Sequence, residues 1–264
     1  MGSATRESLA QARGALAQLG SKDGLAIGEE LFKCARVIGD SAQLRSALAD
    51  PSAAAQDKKA VVTALFGSLG ASTRELLTEI VSSRWSTQDD MLAGIEEIGI
   101  RAIAASAGKG SSVEAELFTF GAAVSSDAEL ELAVGSKLGS SASKSTLVSS
   151  LLKGKASAQT LAIVDHLVQQ PRGRRIGELV RTAASLVADQ AGLSIATVVS
   201  AAPLSVAQLD RLRAGLAKSL GRDLQLNLVI DPSIIGGLRV QIGDDVIDGS
   251  VSTRITDLRL KLVS

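Results

Sequence analysis

The stretch LSVAQLDRLRAGLAKSLGRDLQLNLVIDPSIIGGLRVQIGDDVIDGS, residues 204–250, decides how the end of the chain folds. Ser205 followed by Gln208 forms a capping box, which predicts that a helix begins there. Its apolar residues recur at helical spacing and form a core stripe: Val206, Leu209, Leu212, Leu216 and Leu220. Gly221 ends this helix, and the alternation in LQLNLVI (224–230) predicts a strand that places Leu224, Leu226, Leu228 and Ile230 on one face.

Strand patterns continue on both sides of this helix and strand. SIATVVSA (194–201) alternates in the same way and is closed by Pro203. GLRVQI (237–242) precedes a turn at 243–245 and a short return strand, VID. Ser250 can cap a last helix with a stripe of Val251, Ile255, Leu258 and Leu262. Residues 192–264 are therefore predicted to form a small α/β domain on a short sheet.

The chain before residue 192 is predicted to be helical and internally repeated. At an offset of 86, Glu30, Leu31 and Phe32 recur as Glu116, Leu117 and Phe118. Six further identities follow between residues 42 and 65, among them Lys58 with Lys144. Short breakers between apolar-periodic segments indicate antiparallel helices. We predict two tandem helical-bundle units, residues 1–108 and 109–191, joined at AGKGSSVE (107–114), and a mainly α fold overall.

Composition restricts the classes of function. Twenty-eight basic residues balance twenty-eight acidic ones, which disfavours nucleic acid as the main partner. A single cysteine, Cys34, and a single histidine, His166, exclude an intramolecular disulfide and the usual clustered metal sites. The phosphate-binding motif GxxxxGK[ST] fails, because Ile103 stands where its first glycine is needed before Gly108. We predict no cofactor, no secretory signal and no membrane span.

Two local features have simple structural interpretations. Arg172, Arg174 and Arg175 form the densest run of basic residues. They are interpreted either as a solvated loop that leads into a helix or as a contact for an acidic partner surface. Asp248, Gly249 and Ser250 are explained by a turn that ends a strand and caps a helix. His166 and Cys34 are interpreted as structural residues, since no nucleophile and base are paired by the sequence.

Residues 204–262 resemble the C-terminal region of the delta subunit family of F-type ATP synthases, called oligomycin sensitivity conferring protein in mitochondria. The signature is a strand pair with a fixed order of turn residues, followed by a basic position at Arg254: Asp231, Gly236, Gly237, Gly243, Asp248, Gly249 and Ser250. The second helical copy, with PRGRRIGELV, resembles the N-terminal bundle of that family. Subtracting the offset of 86 from 264 residues leaves the usual family size, so the chain resembles extended actinobacterial forms with a duplicated bundle.

The resemblance implies a non-catalytic subunit of the peripheral stalk, or stator. The N-terminal bundle would bind the alpha (and beta) subunits of the catalytic head, and the C-terminal domain would bind the b subunit of the stalk. One copy in a hetero-oligomeric complex, peripheral at the cytoplasmic face of the cell membrane, would resist rotational torque. The residues expected at partner contacts are those of the opening helix and the basic run: Leu9, Ala12, Leu16, Leu19, Arg172, Arg174 and Arg175.

Two other classes of protein remain open on the sequence. A general helical scaffold or adaptor would use similar amphipathic bundles and would be distinguished by the partners with which it is isolated. A small hydrolase or nucleotide enzyme would show turnover when the isolated chain is assayed.

Overall fold

The computed structural model describes residues 2–108, 111–135, 139–221, 224–232, 234, 236–242 and 245–249. These residues contain twelve α-helices and one four-stranded sheet. The chain divides into two compact units, Met1–Val187 (unit 1) and Ala188–Ser264 (unit 2). The predicted fold class, mainly α with a short sheet near the end of the chain, is confirmed.

Eleven helices make up unit 1 among the described residues, and the last of them continues to Gln190. The breaks between them fall at short segments of turn-forming residues, including residues 20–23 and Asp50-Pro51. The helices are α1 Ser3–Leu19, α2 Gly24–Asp40, α3 Ala42–Ala49, α4 Ala55–Phe66, α5 Ala71–Ser82, α6 Gln88–Ser106, α7 Val113–Ser126, α8 Ala128–Gly135, α9 Ser141–Leu152, α10 Ala158–Gln169 and α11 Ile176–Gln190.

The order and lengths of the helices follow the sequence repeat. Helices α2–α6 correspond to α7–α11 at an offset of 86 or 87 residues. The same offset moves α1 to residues 89–105, which lie within α6. Helix α6 thus occupies the last position of the first copy and the first position of the second copy. The division into copies at 108 and 109 remains a prediction, because this one helix belongs to both patterns.

A buried lysine makes the same bond in each copy. Lys58 donates from Nζ to the carbonyl oxygen of Val81 at 2.9 Å, and Lys144 donates to that of Val168 at 3.3 Å. Both lysines are buried. A buried ammonium group is tolerated only where its donors find acceptors, so each bond ties the fourth helix of its copy to the end of the fifth.

A glutamate repeats in the same way. Glu30 of α2 accepts hydrogen bonds from the hydroxyl of Thr73 and the backbone N–H of Gly70, at the start of α5. Glu116 of α7 accepts from the hydroxyl of Thr160 at 2.5 Å, and from the backbone N–H of Ser157 at 2.8 Å, at the start of α10. A carboxylate at a helix N-terminus accepts hydrogen bonds from free N–H groups, and its negative charge is stabilised by the positive end of the helix dipole.

The core of the first copy depends on a close approach of α2 to α6. A Cβ atom added at Gly28 would lie 2.6 Å from the carbonyl oxygen of Gly99, and one added at Gly99 would lie 2.7 Å from the ring of Phe32. Only glycine permits this separation. With only 2% aromatic residues, the surrounding core is built mainly from aliphatic side chains, such as Leu31, Ile95 and Ile98.

Trp85, the one tryptophan of the chain, lies in the same core. Its Nε1–H donates to the carbonyl oxygen of Ile80 at 2.7 Å, and its ring fills the space in front of Gly94. A larger residue at position 94 would displace the ring, so the connection between α5 and α6 is held by one aromatic side chain and one glycine.

Unit 2 has the predicted strand, helix, strand, strand and return strand. These elements are β1 Ser194–Ser200, α12 Val206–Leu220, β2 Leu224–Ile230, β3 Leu238–Ile242 and β4 Asp245–Asp248. The sheet order is β2-β1-β3-β4; β1 is parallel to β2, and the other two pairs are antiparallel. Helix α12 is the crossover between the parallel strands, and its Leu212 and Leu216 pack on the sheet.

Two residues of the predicted apolar faces in unit 2 are exposed. Val206 is 75% exposed because it lies in the first turn of α12, whereas the sheet contacts come from the middle of that helix. Ile230 is 48% exposed at the end of the edge strand β2. The predicted last helix, with Val251, Ile255, Leu258 and Leu262, lies outside the described residues, as does Arg254.

Two glycines, one inside α12 and one directly after it, are expected to respond in opposite directions to the same substitution. Gly221 ends the helix with φ +67°, so Gly221→Ala should destabilise unit 2 by about 1 kcal/mol. Gly215 lies inside the helix with open space around it, so Gly215→Ala should stabilise the helix by about 0.5–1 kcal/mol. Hydrogen exchange of the α12 amides measures both changes, and equal signs would contradict this account.

Candidate partner interface

The predicted partner stripe of α1 faces the core of unit 1. Leu9, Ala12 and Leu16 are 4%, 1% and 4% exposed, because α1 packs on α5 and α6. Leu19, in the last turn of α1, is 36% exposed. A partner helix can therefore contact Leu19 on the surface of the folded unit, whereas the other three residues hold α1 in place.

Polar contacts add to this apolar packing of α1. The hydroxyl of Thr5 donates to Asp90 at 2.9 Å, and the hydroxyl of Ser8 donates to the carbonyl oxygen of Arg84 at 2.6 Å. Arg13 donates to Oε1 of Glu97 on α6 at 2.5 Å. Three positions on three successive turns of α1 thus bind α6 or the segment that precedes it.

Glu97 is shared between two arginines. Arg101, one turn further along α6, donates from Nε to the same Oε1 atom at 2.8 Å. Arg101 is only 4% exposed, so its charge lies inside the unit. Pairing with a carboxylate is what makes a buried guanidinium group tolerable.

The basic run also has a partner within the chain. Arg172 donates to Oε2 of Glu96 on α6, and Arg174 donates to Oε1 at 3.0 Å. Glu96 is buried, whereas Gly173, Arg174 and Arg175 are exposed. Arg172 has φ +48°, a conformation that costs energy for a residue with a side chain, and the ion pair compensates for it. The run thus lies in a turn that leads into α11, where Arg172 and Arg174 are paired with Glu96 and Arg175 is exposed.

The ionisation of Glu96 depends on these neighbours. Burial raises its pKa, but the contact with His166 and the charges of Arg172 and Arg174 outweigh burial and lower the pKa from 4.5 to about 2. Glu96 is therefore ionised at neutral pH and remains so in moderate acid.

His166 lies beside these charges, and it has a structural position as predicted. Its ring stacks on Phe32 with centroids 4.0 Å apart and an interplanar angle of 5°. Burial, the main effect, lowers the pKa of His166, so the ring is neutral at neutral pH. Arg36 lies 3.3 Å from Nδ1 and can donate only if Nδ1 is unprotonated. Nε2 then carries the proton and lies 3.6 Å from Oε2 of Glu96, an electrostatic contact too long for a hydrogen bond.

The turn residues of the C-terminal signature serve the sheet of unit 2. The backbone N–H of Asp231 donates to the carbonyl oxygen of Ser200 at 2.9 Å, where β2 leaves the sheet. Gly236 and Gly237 have φ +156° and +86° just before β3. Gly249, after Asp248 at the end of β4, donates to the carbonyl oxygen of Leu238 at 2.9 Å. Gly243 and Ser250 lie outside the described residues.

The described residues offer little for acid–base or metal chemistry. Burial, the main cause, raises the pKa of the Cys34 thiol to about 12, so the reactive thiolate does not form at neutral pH. A cleft of about 410 Å³ between α4 and α5 is lined by polar side chains that include Lys59, Arg74 and Glu79. Within the described ranges, no group of three His, Cys, Asp or Glu residues could hold a metal ion.

The sequence analysis did not identify Glu96 and Glu97 as functional residues. Glu97 accepts from Arg13 and Arg101, and Glu96 accepts from Arg172 and Arg174. A signal was present, because two adjacent acidic residues interrupt the apolar segment MLAGIEEIGI (91–100). Charges inside a helix that is apolar on all sides must be paired by other elements. Arg101 lies only four positions after Glu97, but the other partners lie 84 positions before Glu97 and 76 and 78 positions after Glu96, and no local pattern connects those.

These features define a helical protein with an appended mixed sheet, in which the identified buried charges serve internal packing. A family model for the ATP synthase delta (OSCP) subunit matches residues 100–262. The chain is 57% identical over 262 residues to an ATP synthase subunit delta from Leifsonia xyli subsp. xyli, with 99% of each chain covered. It is 39% identical over 268 residues to that of Streptomyces avermitilis, with 99% and 98% covered. The chain belongs to the ATP synthase delta (OSCP) subunit family.

The two comparisons differ in their extent. The family model begins inside α6, whereas the relatives match the chain from end to end. The N-terminal helices are therefore shared with those relatives. Among solved structures, a chain of the Toxoplasma gondii mitochondrial ATP synthase hexamer is similar, with a TM-score of 0.43, 19% identity and coverage of 64% of this chain and 95% of that one. None of the described helices is both long and apolar enough to cross a membrane.

The depressed pKa of Glu96 predicts how stability depends on pH. A carboxylate whose pKa is lower in the folded state stabilises that state above its unfolded pKa. This contribution should be present above pH 4.5 and lost as the pH falls to about 2. Glu96→Gln should lower the free energy of unfolding by about 3 kcal/mol at pH 7, since it breaks a buried pair. The difference from the wild type should shrink in acid.

Urea unfolding at a series of pH values measures this difference. Glu7→Gln on the exposed surface of α1 is the matched control and should have little effect at any pH. A difference between wild type and Glu96→Gln that stays constant from pH 7 to pH 2 would contradict the assignment.

Proposed function

We propose that this chain is the non-catalytic stator subunit that links the catalytic head of an F-type ATP synthase to its peripheral stalk. Unit 1 binds the alpha and beta head, unit 2 binds the b subunit, and one copy works in each complex. The complex places the chain at the cytoplasmic face of the cell membrane. The end-to-end identity of 57% to an ATP synthase delta subunit is the observation that carries this proposal.

The hydrogen bonds and ion pairs within unit 1 are suited to a subunit that must resist torque. If the head turned with the central shaft, proton flow would not drive ATP synthesis, so the connector must resist torque. The ion pairs of Glu96 and Glu97 and the anchors of Glu30 and Glu116 join helices far apart in sequence. Partly buried, directional bonds of this kind hold helices in one arrangement rather than allowing them to slide.

The chemistry of the described residues supports the absence of an active site. A hydrolase needs a nucleophile with a base beside it or a bound metal. The Cys34 thiol is buried with its pKa raised to about 12, and the single histidine is buried between Phe32 and Glu96. Turnover by the purified chain would contradict this part of the proposal.

The first copy is proposed to bind alpha, because the apolar stripe of α1 resembles that of the first helix of the family bundle. The contact surface must lie beside the buried stripe, and Leu19 is the stripe residue that reaches solvent. Arg175, exposed in the basic run, is a second candidate. In the second copy, the helix that corresponds to α1 is α6, which is buried from Met91 to Ile103 apart from Ala93. A partner helix therefore has less surface to contact there.

A bridging assay tests the linker function. The alpha and beta head is immobilised and mixed with the soluble part of the b subunit, with and without the full chain. We expect b to be retained only when the chain is present, because each unit supplies one of the two contacts. If neither the chain nor b were retained on the immobilised head, the alternative of a general helical scaffold would be favoured. The partners of such a scaffold would then be found by co-isolation.

Paired leucine substitutions test which copy binds the head. Leu19→Asp places a charge at the proposed contact on α1 and should weaken head binding by about tenfold, equivalent to about 1.4 kcal/mol. Leu132→Asp on α8 is the control, since Leu132 is 71% exposed and belongs to the second copy. Titration of the head with each variant measures the affinity. A loss with Leu132→Asp alone would assign head binding to the second copy.

A further inference from the structure

A group of polar contacts joins α10 and the turn that follows it to α2 and α6. Helix α10 packs against both helices. Its His166 stacks on Phe32 of α2 and faces Arg36 of α2 and Glu96 of α6. Gln170, just after α10, donates to Asp40 at the end of α2 at 3.0 Å. These contacts connect helices α1–α6 to helices α7–α11.

The strongest of these contacts comes from the turn at residues 171–175. The turn places two guanidinium groups on one buried carboxylate, that of Glu96. The left-handed conformations of Arg172 and Gly173 direct the chain back toward α6. The ion pairs with Glu96 offset the energetic cost of this backbone conformation, so the turn and the carboxylate stabilise each other.

The equivalent positions of the first copy lack this arrangement. At the repeat offsets, Glu96 corresponds to Ala10, and His166 corresponds to Glu79. Ala10 is exposed on α1 and has no charge. The charged group therefore occurs where one copy meets the other and is not a general feature of the repeated unit.

We propose that Glu96 and the 171–175 turn form an ionic lock that holds helices α7–α11 against helices α1–α6. With the lock closed, unit 1 acts as one rigid body instead of two bundles joined by a hinge. The lock is a property of the isolated chain, and only its use in resisting torque rests on the proposed function. Glu96 acts as a positioning residue through Arg172 and Arg174.

Limited trypsin digestion of the full chain tests the lock. Trypsin cleaves after Arg172, Arg174 and Arg175, so the turn reports its own opening. Proteolysis tracks the population of the open form when opening is fast. Glu96→Gln should raise the cleavage rate in the turn by about tenfold or more, because the neutral amide pairs weakly with two guanidinium groups. Cleavage after Lys22, in the exposed turn between α1 and α2, should stay unchanged.

Three further variants separate the lock from general destabilisation. In Arg174→Gln, the rate of cleavage after Arg172 should rise less than in Glu96→Gln, since Arg172 still binds the carboxylate. Arg175→Gln, read at the same bond, and Glu7→Gln change exposed residues and should match the wild type. A wild-type cleavage rate in Glu96→Gln would overturn the proposal. So would a parallel rise at Lys22, because that would show global unfolding.

Discussion

Helix α6 imposes the constraint on which unit 1 depends: it is buried along most of its length, and three of its charged side chains are buried with it. Glu96, Glu97 and Arg101 are only 7%, 8% and 4% exposed. An uncompensated charge in such a place would cost several kcal/mol, so other elements must deliver partners to it. The opening helix delivers Arg13, and the turn after α10 delivers Arg172 and Arg174. The pairing of these charges therefore adds to the apolar packing that positions α1 and α10.

The same helix explains how the two helical copies fold together into unit 1. Because α6 occupies both the last position of the first pattern and the first position of the second, the copies share a helix and cannot separate at a linker. The repeated anchors, Glu30 with Glu116 and Lys58 with Lys144, keep the remaining helices of each copy in equivalent places. The shared helix and the pairing of Glu96 with the 171–175 turn therefore both hold helices α7–α11 to helices α1–α6.

Local patterns predicted the elements of the fold, whereas long-range pairing was beyond them. The capping box at Ser205 and Gln208, the end of α12 at Gly221 and the strand at 224–230 are observed as predicted. Each of these signals depends on residues within a few positions of one another. The stripe of α1 was identified correctly as apolar, but periodicity does not show whether a face is covered by the same chain or by a partner. The role of Arg172 required its distant partner, Glu96, which no pattern near residue 172 indicates.

Trp85 gives the molecule a built-in optical reporter. Since the chain has no tyrosine and Trp85 lies in the core of unit 1, near-ultraviolet fluorescence arises from that unit alone. Its indole packs against Gly94, two positions before Glu96, so the emission wavelength is sensitive to solvent entering beside α6. The emission of Trp85 therefore follows the core of unit 1 in an intact, unlabelled sample, whereas far-ultraviolet dichroism records the secondary structure of both units.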